Sequence, residues 1–190
     1  MNIPKCYLNP SIIEERKLNV AQMDVFSRLM MDRNIFIGDE ITDELANIVI
    51  AQMLFLDSVN NDPITIYLNT PGGDVYSGLA IYDTSLLIKS KINTVCIGMC
   101  ASMGAILLMV GKSRKTLKHS RIMLHQPSGG AFGTARDIEI VNEEIQKTKK
   151  DLYNIIKDRT NIKNPEEFCR DDRWINSIEA KELGIVTEIL

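Results

Sequence analysis

Histidine is nearly missing from this chain, with two in 190 residues, and no Cys-x-x-Cys pair occurs among its four cysteines. Cys6, Cys96, Cys100 and Cys169 therefore offer no zinc-ligand spacing, and no metal is expected. Unpaired cysteines of this kind suit a reducing compartment, and Cys96, inside a strand-like run, is expected to be a small core residue. A surplus of basic residues is also lacking: the net charge is −3, which gives no sign of nucleic-acid binding. There is no apolar run long enough to span a bilayer, and the first residues lack the basic-then-apolar pattern of a secretory signal. A cytoplasmic protein is the resulting expectation. The motif G-x-S-x-G is absent, as are G-x-G-x-x-G and the Lys-Ser/Thr of a phosphate loop, which disfavours α/β-hydrolase, dinucleotide and P-loop chemistry.

What remains is a chain 45% hydrophobic and 25% charged, enough for one domain with a substantial core. No repeat, low-complexity tract or linker divides it. Apolar spacing predicts helices over Val20–Met31 and Leu45–Leu56, with a short strand at Ile35-Phe36-Ile37 between them. Strand-like runs at Ile64–Leu68, Ile92–Ile97 and Arg121–His125 alternate with helical runs at Val75–Ile88 and Ser102–Val110. That alternation predicts an α/β fold with mainly parallel strands. Arg114 to Ser120 reads as a polar turn. Ala135–Arg159 reads as a long helix with Ile138, Val141, Ile145, Leu152 and Ile156 on one face, which alone suggests a surface or coiled-coil-like helix.

Three segments carry candidate chemistry. Gly98-Met99-Cys100-Ala101-Ser102-Met103-Gly104-Ala105 places a serine where a strand meets a helix, beside amides suited to a developing oxyanion. The plain alternative is packing and capping. His125 follows Arg121-Ile122-Met123-Leu124 and opens into Gln126-Pro127-Ser128-Gly129-Gly130, where a ring can face a cleft. A satisfied, partly buried histidine is the competing reading, and His119 is the one other possible base. Thr70-Pro71-Gly72-Gly73-Asp74 ends a strand, and its glycines permit a turn that approaches a ligand closely. It is either an ordinary β-turn or, through the Gly73 amide, half of an oxyanion hole.

Together these segments resemble the family of Clp protease proteolytic subunits (ClpP), from about Ile12 to the C-terminus. Further landmarks are Asp24-Val25-Phe26-Ser27-Arg28-Leu29, Ala51-Gln52-Met53-Leu54-Phe55-Leu56, Ile81-Tyr82-Asp83-Thr84 and Gly184-Ile185-Val186. The resemblance implies a crotonase-like (ClpP-like) β-α-β spiral with a protruding handle helix. It divides the chain into an N-terminal axial segment, 1–19, and one peptidase domain, 20–190, with the handle over about 126–160. It also implies a serine endopeptidase in which Ser102 is the nucleophile, His125 the general base and Asp172 the orienting acid, Asp171 being the competitor. Gly73 and Met103 amides would form the oxyanion hole, and Gly72, Ser128, Gly129 and Gly130 the edge that binds substrate.

The assembly implied is a homo-oligomer of two stacked heptameric rings that an AAA+ Clp unfoldase feeds with unfolded polypeptide. No cofactor is expected, since ATP is used by the partner ATPase. By the resemblance, the loop before His125 and the segment before Asp172 are each shorter than the family's, a change that could shift the base or the acid. Thr65 and Leu87 stand near Tyr67 at positions where the family has aromatics, in its pocket for the ATPase. Arg170-Asp171 reverses the family's acidic–basic pair at the contact between rings. These departures leave open a paralogous structural or regulatory ring subunit that mixes with a second paralogue. A third possibility is an acyl-CoA enzyme of the crotonase fold.

Overall fold

The computed structural model describes residues 11–16 and 19–190, with side chains from Met23 onward. The expected axial segment, 1–19, lies mostly outside the described residues. Its described part, β1 (Ser11–Arg16), pairs antiparallel with β2 (Asn19–Asp24). The helix predicted over Val20–Met31 is accordingly shorter, α1 (Val25–Met31). Pairing with β1 holds residues 19–24 extended, and the Asp24 carboxylate then starts the helix by accepting the Ser27 N–H at 3.0 Å.

From there strands and helices alternate: β3 (Asn34–Ile37), α2 (Asp43–Val59), β4 (Ile64–Thr70), α3 (Val75–Leu87), β5 (Ile92–Ala101) and α4 (Met103–Val110). β6 (Ser113–Thr116) and β7 (Arg121–Leu124) follow, then α5 (Ala135–Arg159), α6 (Pro165–Phe168), β8 (Arg173–Ile175), α7 (Ser177–Glu182) and β9 (Glu188–Ile189). The sheet runs β3-β4-β5-β6-β9, all pairs parallel, and β7 joins β5 in parallel while β8 joins β7 antiparallel. The chain is thus a mixed α/β fold with a mainly parallel sheet, as the alternation predicts. The stretch read as a polar turn is different: its first residues form β6, held between β5 and β9 by backbone pairing. Only Thr116 of that strand is buried, so no apolar pattern marks it.

The division of β5 positions the site. Its residues 93–96 pair with β6, whereas Met99, Cys100 and Ala101 pair with Arg121, Ile122 and Met123 of β7. In that register the residues just past the two strands are Ser102 and, two steps past Met123, His125. α4, MGAILLMV, is buried on every side, which anchors the turn at its start. α5 spans roughly 37 Å at about 1.5 Å per residue. Leu152 and Ile156 are buried against the core, while Ile138, Ile140 and Val141 in its first turns are exposed. The predicted apolar face is real, but within one protomer only its C-terminal part is covered.

Candidate active site

Ser102 has φ 54° and ψ −121°, a conformation that L-residues rarely occupy. Its carbonyl accepts the Ala105 and Ile106 N–H groups at 3.0 and 3.3 Å, which begins α4, yet its hydroxyl makes no capping bond. The side chain is therefore not spent on the helix, as the capping alternative requires. Its Oγ lies 2.9 Å from His125 Nε2. The sequence lacks G-x-S-x-G, but the strand-to-helix turn carries the same kind of strained serine that this motif produces elsewhere.

His125 is about a quarter exposed, at 27%, and its Nδ1 lies 3.2 Å from Asp172 Oδ1. A carboxylate only accepts, so Nδ1 carries the proton and Nε2 is left to accept from the serine hydroxyl. Asp171 does not reach the ring. It lies 3.3 Å from Arg170 Nε, and both of these side chains are well exposed. His119 stands apart, exposed in the turn between β6 and β7. The three groups are not pulled apart, against what the expected shortening before His125 and Asp172 implied. The Gln126 N–H donates to Cys169 O at 2.8 Å and its side-chain Nε2 to Arg170 O at 3.1 Å, tying the histidine strand to the segment that carries Asp172.

The loop after β4 lies against the serine. A Cβ on Gly72, where φ is +96°, would stand 2.6 Å from Ala101 O and 2.7 Å from Ser102 Cβ. Ile41 uses both its N–H and its carbonyl on this loop, bonding Gly72 O and Asp74 N at 2.8 Å each. The intervening Gly73 N–H consequently points away from Ile41. Met103 supplies a first-turn amide of α4, of the sort that helices leave without an internal partner.

Ser128, Gly129 and Gly130 line a cavity of about 500 Å³ together with Gly73 and α5 residues. No strand forms over 125–134, so the expected edge makes no ladder within this chain. A second cavity, of about 20 Å³, touches Ser102 and His125 directly and is walled by Met103, Ile106, Leu124 and Leu152. Tyr153 also reaches it, with a buried hydroxyl that has no hydrogen-bond partner among the described residues. Apolar spacing in the sequence puts Leu152 and Ile156 on one helix face but does not reveal that α5 walls this cavity.

Thr65 and Tyr67 lie on one face of β4, opposite Asn34 and Phe36 of β3. Tyr67 stacks on Phe36 with ring centroids 5.0 Å apart, and Phe26 meets Phe36 edge-on at 5.7 Å. Leu87, at the end of α3, is 78% exposed. Among the described residues no group of His, Cys, Asp and Glu is arranged to hold a metal ion, and no helix is long and apolar enough to cross a membrane. Cys96, Cys100 and Cys169 are free and buried, which places Cys96 in the core as expected.

The model of the Clp protease family matches residues 16–190. The ATP-dependent Clp protease proteolytic subunit of Bacteroides thetaiotaomicron is 54% identical over 97% of this chain and 86% of its own length. That of Porphyromonas gingivalis is 50% identical over 99% and 87%. The ATP-dependent Clp protease proteolytic subunit 1 of Salinibacter ruber is 42% identical over 98% and 82%. Alike to such proteins along nearly its whole length, the chain belongs to the Clp protease family and is a peptidase.

Proposed function

We propose that this chain hydrolyses peptide bonds with Ser102 as nucleophile, His125 as general base and Asp172 as the acid that orients it. The observation that carries the reading is the pair of contacts of 2.9 and 3.2 Å that link residues from three separate segments in series. His125 takes the Ser102 proton as Oγ attacks the carbonyl, then returns it to the departing amine. Asp172 holds the tautomer and stabilises the imidazolium. The Gly73 and Met103 amides receive the oxyanion, where loss of one donor typically costs about a hundredfold or more. Water then releases the acyl group from Ser102 by the same proton path.

An extended substrate passes along Gly72 and Ser128–Gly130, pairing through its main chain. No cofactor takes part, and ATP is spent by a separate AAA+ Clp unfoldase that delivers unfolded polypeptide for cleavage to short peptides in the cytoplasm. The relatives' names, which say "ATP-dependent" and "subunit", support that division of labour. The exposed Ile138 supports burial of the handle, about 126–160, between copies in two stacked heptameric rings.

A paralogous ring subunit that leans on a companion for activation and docking is the second reading. Exposed Leu87 and half-buried Thr65, where the family has aromatics, favour it. Fluorophosphonate labelling with peptidase assay and native mass of the isolated chain separates the two. Labelling and turnover by a pure ring of this chain support the first reading, and an unreactive chain that gains activity only with a companion supports the second.

A further inference from the structure

The larger cavity leads away from the nucleophile. Val75 and Pro127 wall both it and the small cavity at Ser102, so the two cavities adjoin. A peptide whose carbonyl sits between Ser102 and the Gly73 N–H runs into this groove as it follows Ser128–Gly130. One side of the groove is apolar, with Tyr76, Ile140, Val141 and Ile145. Among the described residues its charged lining is Asp74 and Glu144, both acidic, with no Lys or Arg.

The two acids differ in freedom. The Asp74 carboxylate is engaged at the start of α3, accepting the Ser77 N–H at 2.8 Å. Glu144 projects from α5 with its side chain 51% exposed, and its one ion pair among the described residues is to Lys147 at 3.2 Å, itself 69% exposed and outside the groove. Such a pair holds its partners weakly and yields to a better one.

We propose that Glu144 determines specificity, selecting extended peptides that carry a basic side chain along this groove and disfavouring acidic ones. A lysine or arginine fits both features, because its methylene stem lies on Ile140 and Ile145 while its charge meets Glu144. An acidic side chain in the same place faces two carboxylates, with no Lys or Arg among the described residues that line the groove, which disfavours it. This inference rests on Ser102 being the nucleophile.

The test uses the assembled protease and paired fluorogenic peptides that differ by Lys or Glu at one position, scanned along both sides of the scissile bond. At one position the Lys peptide is expected to have the higher kcat/KM, chiefly through KM, and the preference is expected to shrink as salt rises. Glu144→Gln is expected to lower that Lys/Glu ratio by about two- to fivefold, the scale of a partly exposed ion pair. Glu144→Lys is expected to lower it further. Glu139→Gln, an acid of α5 outside the groove, is expected to leave the ratio unchanged.

A ratio near one in the wild type at every position, or a ratio unmoved by Glu144→Gln, overturns the proposal. So does an equal response to Glu139→Gln, which marks a general field. Should Glu144→Gln fail to assemble, the salt dependence in the wild type still decides. Cleavage that persists in Ser102→Ala defeats the active-site reading instead, whatever the ratio.

Discussion

The Ser102 backbone N–H donates to the Met123 carbonyl at 2.9 Å, two residues short of His125. This bond continues the parallel pairing of β5 with β7 by one step, so the nucleophile and the base stand on neighbouring strand ends. On the other side of His125, Gln126 is bonded to Cys169 and Arg170, three and two residues before Asp172. The histidine is thus held between the strand that carries the serine and the segment that carries the acid. These bonds fix the relative placement of the three groups, against the displacement that the expected shortening before His125 and Asp172 implied.

That arrangement supports Asp172 rather than Asp171 as the proposed acid. Asp172→Asn is expected to lower kcat by roughly 10⁴-fold, the scale found when a trypsin-like triad loses its correct tautomer. Asp171→Asn removes a surface pair with Arg170 and is expected to change kcat by less than about threefold. Steady-state kinetics on a short peptide, with assembly checked by native mass, compares them. An inactive Asp171→Asn beside a near-normal Asp172→Asn would reverse the assignment.

Strain at Ser102 has its own signature. A residue at φ 54° and ψ −121° carries about 1–3 kcal/mol of backbone cost, which glycine avoids. Both Ser102→Ala and Ser102→Gly are expected to lose labelling by serine-directed probes. The glycine variant is expected to be the more stable of the two by about 1 kcal/mol in denaturant melts, against the usual order for these residues. A more stable alanine variant sinks the claim that this turn is strained.

Gly72 lies too close to the nucleophile for any side chain. An added Cβ meets backbone at Ala101 O, which cannot swing aside, so Gly72→Ala must push the loop and the Gly73 amide away from Ser102. A displacement of about 1 Å at a reacting group can cost about a hundredfold in rate. The expectation is a fall in kcat of that order, with the protein still folded by circular dichroism. Activity within about twofold of wild type means that the Gly73 amide is not in the oxyanion hole.

Acid sensitivity is expected at the joint between α2 and β4. Hydrogen bonds from the Ser90 hydroxyl and N–H, each 2.7 Å, hold the Asp57 carboxyl below its ordinary value. Arg33, at φ 63°, ties the same joint through Leu56 O, Asp62 O and Ser90 Oγ. A carboxyl whose pKa is lower folded than unfolded stabilises the fold above its unfolded value and loses that contribution as pH falls through the folded one. Asp57→Asn is therefore expected to flatten the loss of stability between about pH 5 and pH 2. Identical acid limbs for variant and wild type overturn this.

Strands and helices whose side chains decide their packing were legible in the sequence. The bounds of α5 agree with its apolar spacing, and β4 stops at Thr70, before Pro71. What pairing decides was not legible: β6 is polar yet lies between two strands, and β2 takes residues whose spacing suited a helix. The order Ser102, His125, Asp172 came from resemblance to a family, because no local pattern relates segments so far apart. Geometry adds what neither supplied, including the strained φ of Ser102 and the reach of Leu152 and Tyr153 from α5 into the site.

The surface around Tyr67 yields the last prediction. Phe26, Phe36 and Tyr67 form a continuous aromatic group, half of it in view, with Phe26 51% exposed. Thr65 follows Tyr67's face of β4, and Leu87 is a bare aliphatic at the end of α3. Neither carries the ring that the resemblance implies for a docking pocket, and on that reading an inserted aliphatic side chain covers less apolar area, at about 25 cal/mol per Å². Replacing Thr65 with Tyr and Leu87 with Phe adds such area without touching the triad. If this face docks the ATPase, the double variant is expected to bind it severalfold tighter, read as the concentration that half-stimulates protein degradation, while cleavage of short peptides stays unchanged. Weaker coupling, or coupling equal to wild type, shows that the aromatic group of Phe26, Phe36 and Tyr67 already suffices or that docking occurs elsewhere.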